Sequence, residues 1–343
     1  MKKKPVVVAV SGLKNSGKTS LIEKLIPKLN QSGLSVATIK HDGHRFDADC
    51  PGTDSFRHLA AGAEGSAVFD GEKYQIVRRG KTDMEYLISL FGDVDLVLLE
   101  GFKNSPWPKL EIVCVENGGQ TVCHPSTRLA LIADRDVTAE GCRVFSRDDI
   151  SGIADFLIRF TRIGERFSAV ILADRYSSRI GKNKAELLFD GKRLIDHQAR
   201  RLRMLGIEDI QNAGYEGPTE YGCCVPDLVP HRGPLSGIYM GLSEAAHTDC
   251  LVLRADAPLV PFSVLIDLME QHRAGVTLLE LNGQLEPLIG IYKSSLAPLC
   301  GEILSGGNPS VNRLLEKCAF STIRCELPAE LIYKCDMPEQ YEK

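Results

Sequence analysis

The stretch Val6–Leu25, VVVAVSGLKNSGKTSLIEKL, decides how the first half of the chain folds. A run of β-formers, Val6 to Val10, leads into Gly12-x-x-x-x-Gly17-Lys18-Thr19, after which apolar residues recur at Leu21, Ile22, Leu25 and Ile26. The pattern changes from a buried strand to an amphipathic helix across one glycine-bearing loop. Such a loop turns its backbone N–H groups inward around a phosphate, while Lys18 reaches the β and γ oxygens and Thr19 offers a hydroxyl to Mg2+. The start of the helix adds partial positive charge. Gly12, Asn15, Ser16, Gly17, Lys18, Thr19 and Ser20 are therefore nucleotide-binding candidates, with Thr19 also a metal ligand. The competing reading is a βα turn that merely carries glycines.

Around this stretch, 343 residues leave room for two domains, and 43% hydrophobic with 25% charged residues is an ordinary globular balance, so two cores are expected. A net charge of -4 and the lack of a basic stripe interleaved with aromatics argue against nucleic acid as a partner. The basic start Met1–Lys4 is followed by only six apolar residues before Ser11, too few for a signal segment or a membrane span. No membrane role and a cytoplasmic location are expected. Eleven cysteines without a C-x-x-C spacing fit reduced thiols better than a zinc site.

Further along, GLSVATIKHDG, DVDLVLLEGFK, KLEIVCVEN and LALIADRD read as strands. A short strand and an Asp-capped helix with Ile153, Phe156, Leu157 and Phe160 on one face follow. Strands alternating with helices imply a doubly wound α/β domain. The pattern restarts at Ala169–Ala173 after a polar stretch, which places a boundary near residue 165. The second half alternates again, with helix LIDHQARRLRMLG, a strand near Asp209–Ala213, a helix to Ala246, strand DCLVLRADAP and helix VPFSVLIDLMEQH.

Glu100 ends an apolar strand, where a nucleotide-binding fold keeps the carboxylate of its Mg2+ and water; an exposed strand-end Glu is the other reading. His41, Asp42, His44, Asp47, Asp49, Asp54, Arg57 and His58 crowd the loop after the second strand, a density that suggests a ligand or partner surface. His41 and His44 lack a third metal ligand of clear spacing, which favours solvated or phosphate-facing rings.

The phosphate loop, IKH, D-x-P-G-x-D-S (Asp49–Ser55), AGA (Ala61–Ala63) and LLEGFK (Leu98–Lys103) stand in the same order as in the molybdopterin-guanine dinucleotide biosynthesis adaptor family, MobB, which residues 5 to 160 resemble. The resemblance implies a P-loop NTPase fold, GTP binding with weak GTPase activity, and help with guanylylation of molybdenum cofactor. It carries over Gly17, Lys18 and Thr19 as phosphate and Mg2+ contacts, Glu100 as the strand-end acid, and a homodimer through this domain.

In the second half, LADRYSSRIGKNK (Leu172–Lys184) is similar to the L-A-G-G-x-S-S-R-M-G-x-D-K signature of molybdenum cofactor guanylyltransferases. VPDLVPHRGPLSGI (Val225–Ile238), LVLRADAPLVP (Leu251–Pro261), EPLIGIY (Glu286–Tyr292) and CDMPEQYEK (Cys335–Lys343) extend the likeness from 167 to 343. It implies a nucleotidyltransferase fold of glycosyltransferase-A type. Leu172, Ala173 and Arg175 would line the nucleotide, Asp227 would recognise guanine and Gly233 would border the base. Nucleotidyl transfer needs charge neutralised on the α-phosphate and on leaving pyrophosphate. Arg179 and Lys184 supply positive charge, and Asp256, at a strand's carboxyl end, is placed to hold Mg2+; solvated loop cations and a helix N-cap are the milder readings.

Departures matter as much. Asp174 and Arg175 stand where the family has Gly-Gly, which lets backbone N–H groups approach a triphosphate. A carboxylate 4 Å from a phosphate charge is repulsive by about 1 kcal/mol or more, depending on the local dielectric. Asn183 replaces an Asp, and Lys334 and Asp336 replace acceptor-side asparagines.

The sequence thus reads as two α/β domains, 1–165 a GTP-binding adaptor and 166–343 a transferase that joins GTP to Mo-molybdopterin with Mg2+. Molybdopterin-loading proteins and apo-molybdoenzymes are the implied partners. The alternatives are a non-catalytic, GTP-dependent cofactor carrier with a degenerate second half, and cytidylyl transfer, which the GPLSGI turn disfavours.

Overall fold

A computed structural model of the chain describes residues 4–42, 46–114, 119–134, 137, 139, 141–173, 184–227, 232–328 and 331. The opening run is β1 (Val6–Gly12), and the helix after the glycine loop is α1 (Lys18–Gln31). There follow β2 (Val36–Lys40), α2 (Asp54–Ala60), β3 (Gly65–Phe69), β4 (Tyr74–Arg78), α3 (Met84–Ser89), β5 (Leu96–Glu100), β6 (Lys109–Val113), β7 (Arg128–Ala133), β8 (Arg143–Ser146) and α4 (Ile150–Ile163). Six parallel strands form one sheet in the order β2-β5-β1-β6-β7-β8, and β3 pairs with β4 as a separate hairpin. The unbroken apolar run of β1 follows from burial on both faces. Val6, Val8 and Val10 meet α1 and α4, while Val7 and Ala9 join Val97, Leu99 and Ile88 on the opposite face.

The chain continues through β9 (Phe167–Leu172), β10 (Leu188–Phe189), β11 (Lys192–Arg193), α5 (Leu194–Met204), β12 (Asp209–Ala213), β13 (Cys223–Val225), α6 (Pro234–Glu244), β14 (Asp249–Arg254) and α7 (Phe262–Gln271). It closes with β15 (Val276–Leu281), β16 (Gln284–Lys293), α8 (Ala297–Ser305), α9 (Val311–Lys317) and β17 (Phe320–Cys325). The second sheet runs β13-β12-β9-β14-β16-β15-β17, with β16 antiparallel to both neighbours. Helix α6 lies close on β9 because Gly241 faces Val170: a Cβ on Gly241 would meet Val170 Cγ1 at 2.3 Å.

The fold is α/β with two wound sheets, as the alternating pattern implied. Length suggested two cores, but the largest apolar cluster runs through both halves, with one satellite cluster in each. The reason is α7, which packs beside α4 and β7. Arg143 on β8 reaches it through Asp267 at 3.1 Å and Glu270 at 2.7 Å. Among the described residues the cysteines are free thiols, and no helix is long and apolar enough to cross a membrane.

Candidate functional site

Two sites sit at carboxyl ends of parallel strands, where open α/β sheets leave a ligand crevice. In the first sheet the strand is β1, flanked by β5 and β6. Gly12 at its end has φ +149°, and a Cβ there would lie 2.7 Å from both the Ile112 carbonyl oxygen and the Ser16 hydroxyl, so only glycine fits. Asn15 (φ 61°) and Gly17 (φ 84°) take left-handed backbone that bends the loop round before α1 begins.

Lys18 folds over that loop, donating from Nζ to the Leu13 carbonyl at 2.6 Å and the Gly12 carbonyl at 3.4 Å. Burial lowers the Lys18 pKa, and the Glu100 carboxylate works against that shift. Thr19 Oγ1 donates to Glu100 Oε1 at 2.7 Å, and Lys40 Nζ lies 3.2 Å from the same oxygen. Arg147, just past β8, closes over the helix start: its Nη1 would stand 3.5 Å from a Cβ on Gly17. Arg147 Nη2 donates to Cys114 Sγ at 2.7 Å, and its Nε lies 2.8 Å from Asp134 Oδ1.

In the second sheet the crevice strand is β9, flanked by β12 and β14. Asp256, two residues past β14, is 5% exposed. Its carboxylate takes Lys184 Nζ at 3.0 Å and both Arg254 Nε and Nη2 at 2.7 Å. Burial pushes the Asp256 pKa up, but Arg254 and Lys184 outweigh it and hold the carboxyl below its ordinary range. Ala255 N–H donates to the Leu172 carbonyl and Ala173 N–H to the Ala213 carbonyl, each at 3.0 Å, fixing the end of β9 between its neighbours. Beyond β12, Asp227 accepts from the Ser236 hydroxyl in the first turn of α6, which Gly233 (φ 71°) opens.

Residues 7–134 match the family described as Molybdopterin guanine dinucleotide synthesis protein B, and residues 169–322 match the MobA-like NTP transferase domain. Over 168 residues the chain is 30% identical to the molybdopterin-guanine dinucleotide biosynthesis adapter protein of Escherichia coli K12, covering 45% of this chain and 92% of that protein. Over 166 residues it is 30% identical to the "Probable molybdenum cofactor guanylyltransferase" of Flavobacterium johnsoniae, covering 47% of this chain and 87% of that protein. The chain joins the MobB family to the MobA-like transferase family. It is also 38% identical over 111 residues to a "Probable molybdopterin-guanine dinucleotide biosynthesis adapter protein" of Bacillus subtilis, spanning 31% of this chain and 64%, less than two thirds, of that relative.

In the MobB part, Gly12, Asn15, Ser16, Gly17, Lys18, Thr19 and Ser20 fall on one loop and helix start, with Glu100 against Thr19. His41 sets its ring edge-on to Phe102 at 5.6 Å, beside Glu100, while His44 lies outside the described residues. In the MobA-like part, Lys184 and Asp256 meet directly. The side chains of Leu172 and Ala173 are buried in the core, and the Ala173 N–H is already bonded, so a nucleotide meets neither as a free donor. Asp227 and Gly233 gather at the start of α6. Arg175 and Arg179 lie outside the described residues, as do Asp174, Asn183, Lys334 and Asp336.

Sequence reasoning missed Arg254, Arg147, Asp134, Cys114 and Lys40. Arg254 had a usable signal, since it stands two residues before Asp256 at a strand end and alternate positions share a face. Arg147 had none: the pairing of β7 with β8 alone brings it to the loop.

A hard cation such as Mg2+ takes oxygen ligands, and commonly only one or two of them are carboxylates because phosphates and water supply the rest. The adjacent Thr19 hydroxyl and Glu100 carboxylate fit that need. Asp256 offers an ionised carboxylate with less freedom, because Oδ1 accepts from Arg254 and Oδ2 from both Lys184 and Arg254. No cage of three or more His, Cys, Asp or Glu occurs among the described residues.

Proposed function

We propose that this chain makes molybdopterin-guanine dinucleotide, moving a guanylyl group from GTP to the terminal phosphate of Mo-molybdopterin and releasing pyrophosphate. The observation that carries the reading is Asp256 holding Lys184 and Arg254 at the mouth of the β9 crevice, inside the segment that matches MobA-like NTP transferases. An acceptor phosphate oxygen forms a bond to the α-phosphorus of GTP. The bond from that phosphorus to its bridging oxygen breaks, and pyrophosphate leaves with the electron pair. Lys184 stabilises the charge that grows on these oxygens, joined by Arg179 and Arg175 from the adjoining segment. Asp256 stays ionised and keeps Lys184 and Arg254 oriented. Mg2+, held by Asp256 here and by Thr19 with Glu100 in the first site, supplies polarisation of the phosphates when bound. Asp227 and Gly233 face the base.

Residues 1–165 act in this scheme as a GTP-binding adaptor domain with weak GTPase activity, and 166–343 as the transferase domain. The apolar β3–β4 hairpin, with Phe69 82% and Tyr74 73% exposed, supports a homodimer through the first domain. A cytoplasmic setting with molybdopterin-loading proteins and apo-molybdoenzymes as partners completes the reading.

The test mixes purified chain, Mg2+, Mo-molybdopterin and α-labelled GTP, and follows label into the dinucleotide. Asp256→Ala is expected to abolish transfer, and Lys18→Ala to weaken it. If no label moves while GTP is bound and slowly hydrolysed at the Lys18 site, and Gly at positions 174 and 175 restores nothing, the second half is a carrier rather than a transferase.

A further inference from the structure

Between the halves lies a cleft of about 490 Å³, and none of Lys18, Glu100, Lys184 or Asp256 lines it. One wall is the segment after Glu100, Lys103 to Pro106; the other combines α5 with Leu259 and Phe262 from the segment after Asp256. Arg201 of α5, 6% exposed, lines this cleft. Its Nη1 donates to the Pro258 carbonyl, and its Nη2 donates to the Val260 carbonyl and, across the halves, to the Ser126 carbonyl at 3.1 Å. Among the described residues its Nε has no hydrogen-bond partner.

The contrast with Arg128, the other buried arginine among the described residues, is informative. Arg128 has the Glu111 carboxylate at 2.8 Å, whereas burial alone acts on Arg201, pushing its pKa down to about 9 with no acid opposing the shift. Carbonyl dipoles offset part of the cost of a buried cation, and the Phe262 ring, 4.5 Å from Cζ, covers one face. Among the described residues the guanidinium has no carboxylate beside it, and its Nε has no acceptor. Lys103 at the rim adds a second cation. His197, one turn before Arg201, is held neutral by burial and by Arg201 itself, with its pKa lowered to about 3, so it adds no competing cation. Asp190 is the sole acid on the lining among the described residues.

We propose that this cleft is a third anion site, distinct from both nucleotide sites, which takes a phosphate or pyrophosphate group against Arg201 and Lys103. Its occupant touches both halves, between the segments that follow Glu100 and Asp256.

The test uses the full chain carrying Lys18→Ala and Lys184→Ala, which removes the leading cation of each nucleotide site. This protein is titrated with inorganic pyrophosphate and, separately, with inorganic phosphate, by calorimetry and by fluorescence of the single tryptophan, Trp107, next to Pro106 on the wall. Saturable binding is expected, weakened at least about ten-fold by Lys103→Glu. Asp190→Asn should tighten it; Asn tolerates the positive φ of 51° at that position. Both side chains are exposed, so folding does not confound the comparison. Pyrophosphate binding alone identifies the leaving group as occupant, and binding of both probes identifies a single-phosphate subsite. Absence of saturable binding by either probe, or binding that neither substitution alters, overturns the proposal. Because turnover is not read, failure of guanylyl transfer leaves this result intact.

Discussion

The two strand-end candidate sites hold their charged side chains in opposite ways. At the first, the backbone does the shaping: three positive-φ residues bend the loop, and the acid beside it, Glu100, is paired to a Lys40 side chain that is 58% exposed. At the second, buried charges shape one another, with Asp256 5% and Lys184 13% exposed. Water and salt screen the first arrangement, whereas the second depends on mutual compensation in a poorly solvated crevice. The first site should therefore tolerate loss of a charge and fail on loss of a glycine, and the second should do the reverse.

Arg254→Leu breaks the second arrangement most directly. Leaving Asp256 buried with one cation fewer is expected to cost about 3 kcal/mol in denaturant unfolding. The pH dependence sharpens the point. The folded pKa of Asp256 is depressed, so its stabilisation is present above the unfolded carboxylate pKa and is lost as pH falls through the folded value. In the variant that loss should begin at higher pH. A cost under about 1 kcal/mol would equate the two sites and end the comparison.

Lys109, buried on β6 and donating to the Trp107 carbonyl at 2.8 Å, tests whether the first half also contains an under-compensated charge. Burial pushes its pKa from 10.5 down to about 8. Between those values the unfolded chain holds a proton that the folded chain does not, so stability should rise with pH across the window. Relative to Lys109→Met, the wild type should gain up to about 3 kcal/mol between pH 8 and pH 10.5, read from paired unfolding curves. A flat difference would mean that the nearby carbonyls fully compensate the ammonium.

Gly12→Ala is expected to cost about 1–3 kcal/mol by overpacking against Ile112 and Ser16 and, on the proposed function, to remove GTP binding at the first site in an equilibrium assay. Lys40→Ala, the smallest change, should cost less than about 1 kcal/mol, and salt should shrink even that. If Lys40→Ala proves as damaging as Arg254→Leu, exposure is not what separates the two sites.

Much of the first site was legible because its parts are contiguous. The strand, the glycine spacing, Lys18 and Thr19 lie within one short stretch, and Glu100 announces itself by ending an apolar run. The second site was legible in outline through Lys184 and Asp256. Arg254 escaped notice because a strand-end arginine looks like a solvated cation until the neighbouring carboxylate is seen to be buried. Helices α2 and α3, the β3–β4 hairpin and the antiparallel strands β15 and β16 were not read as elements, since the first four are short and the burial along β16 does not alternate.

The sequence by itself determined the two wound α/β halves, the glycine-bearing loop between β1 and α1 and the residues at the strand ends, because hydrophobic period and backbone-restricted glycines act locally. Tertiary structure alone decided that Arg147 and Cys114 close over the loop, that α7 fuses the cores, and that Arg201 is buried between the halves with no acid beside it among the described residues. Those features depend on which strands pair and which helix crosses, and such long-range contacts leave no periodic trace in the chain that makes them.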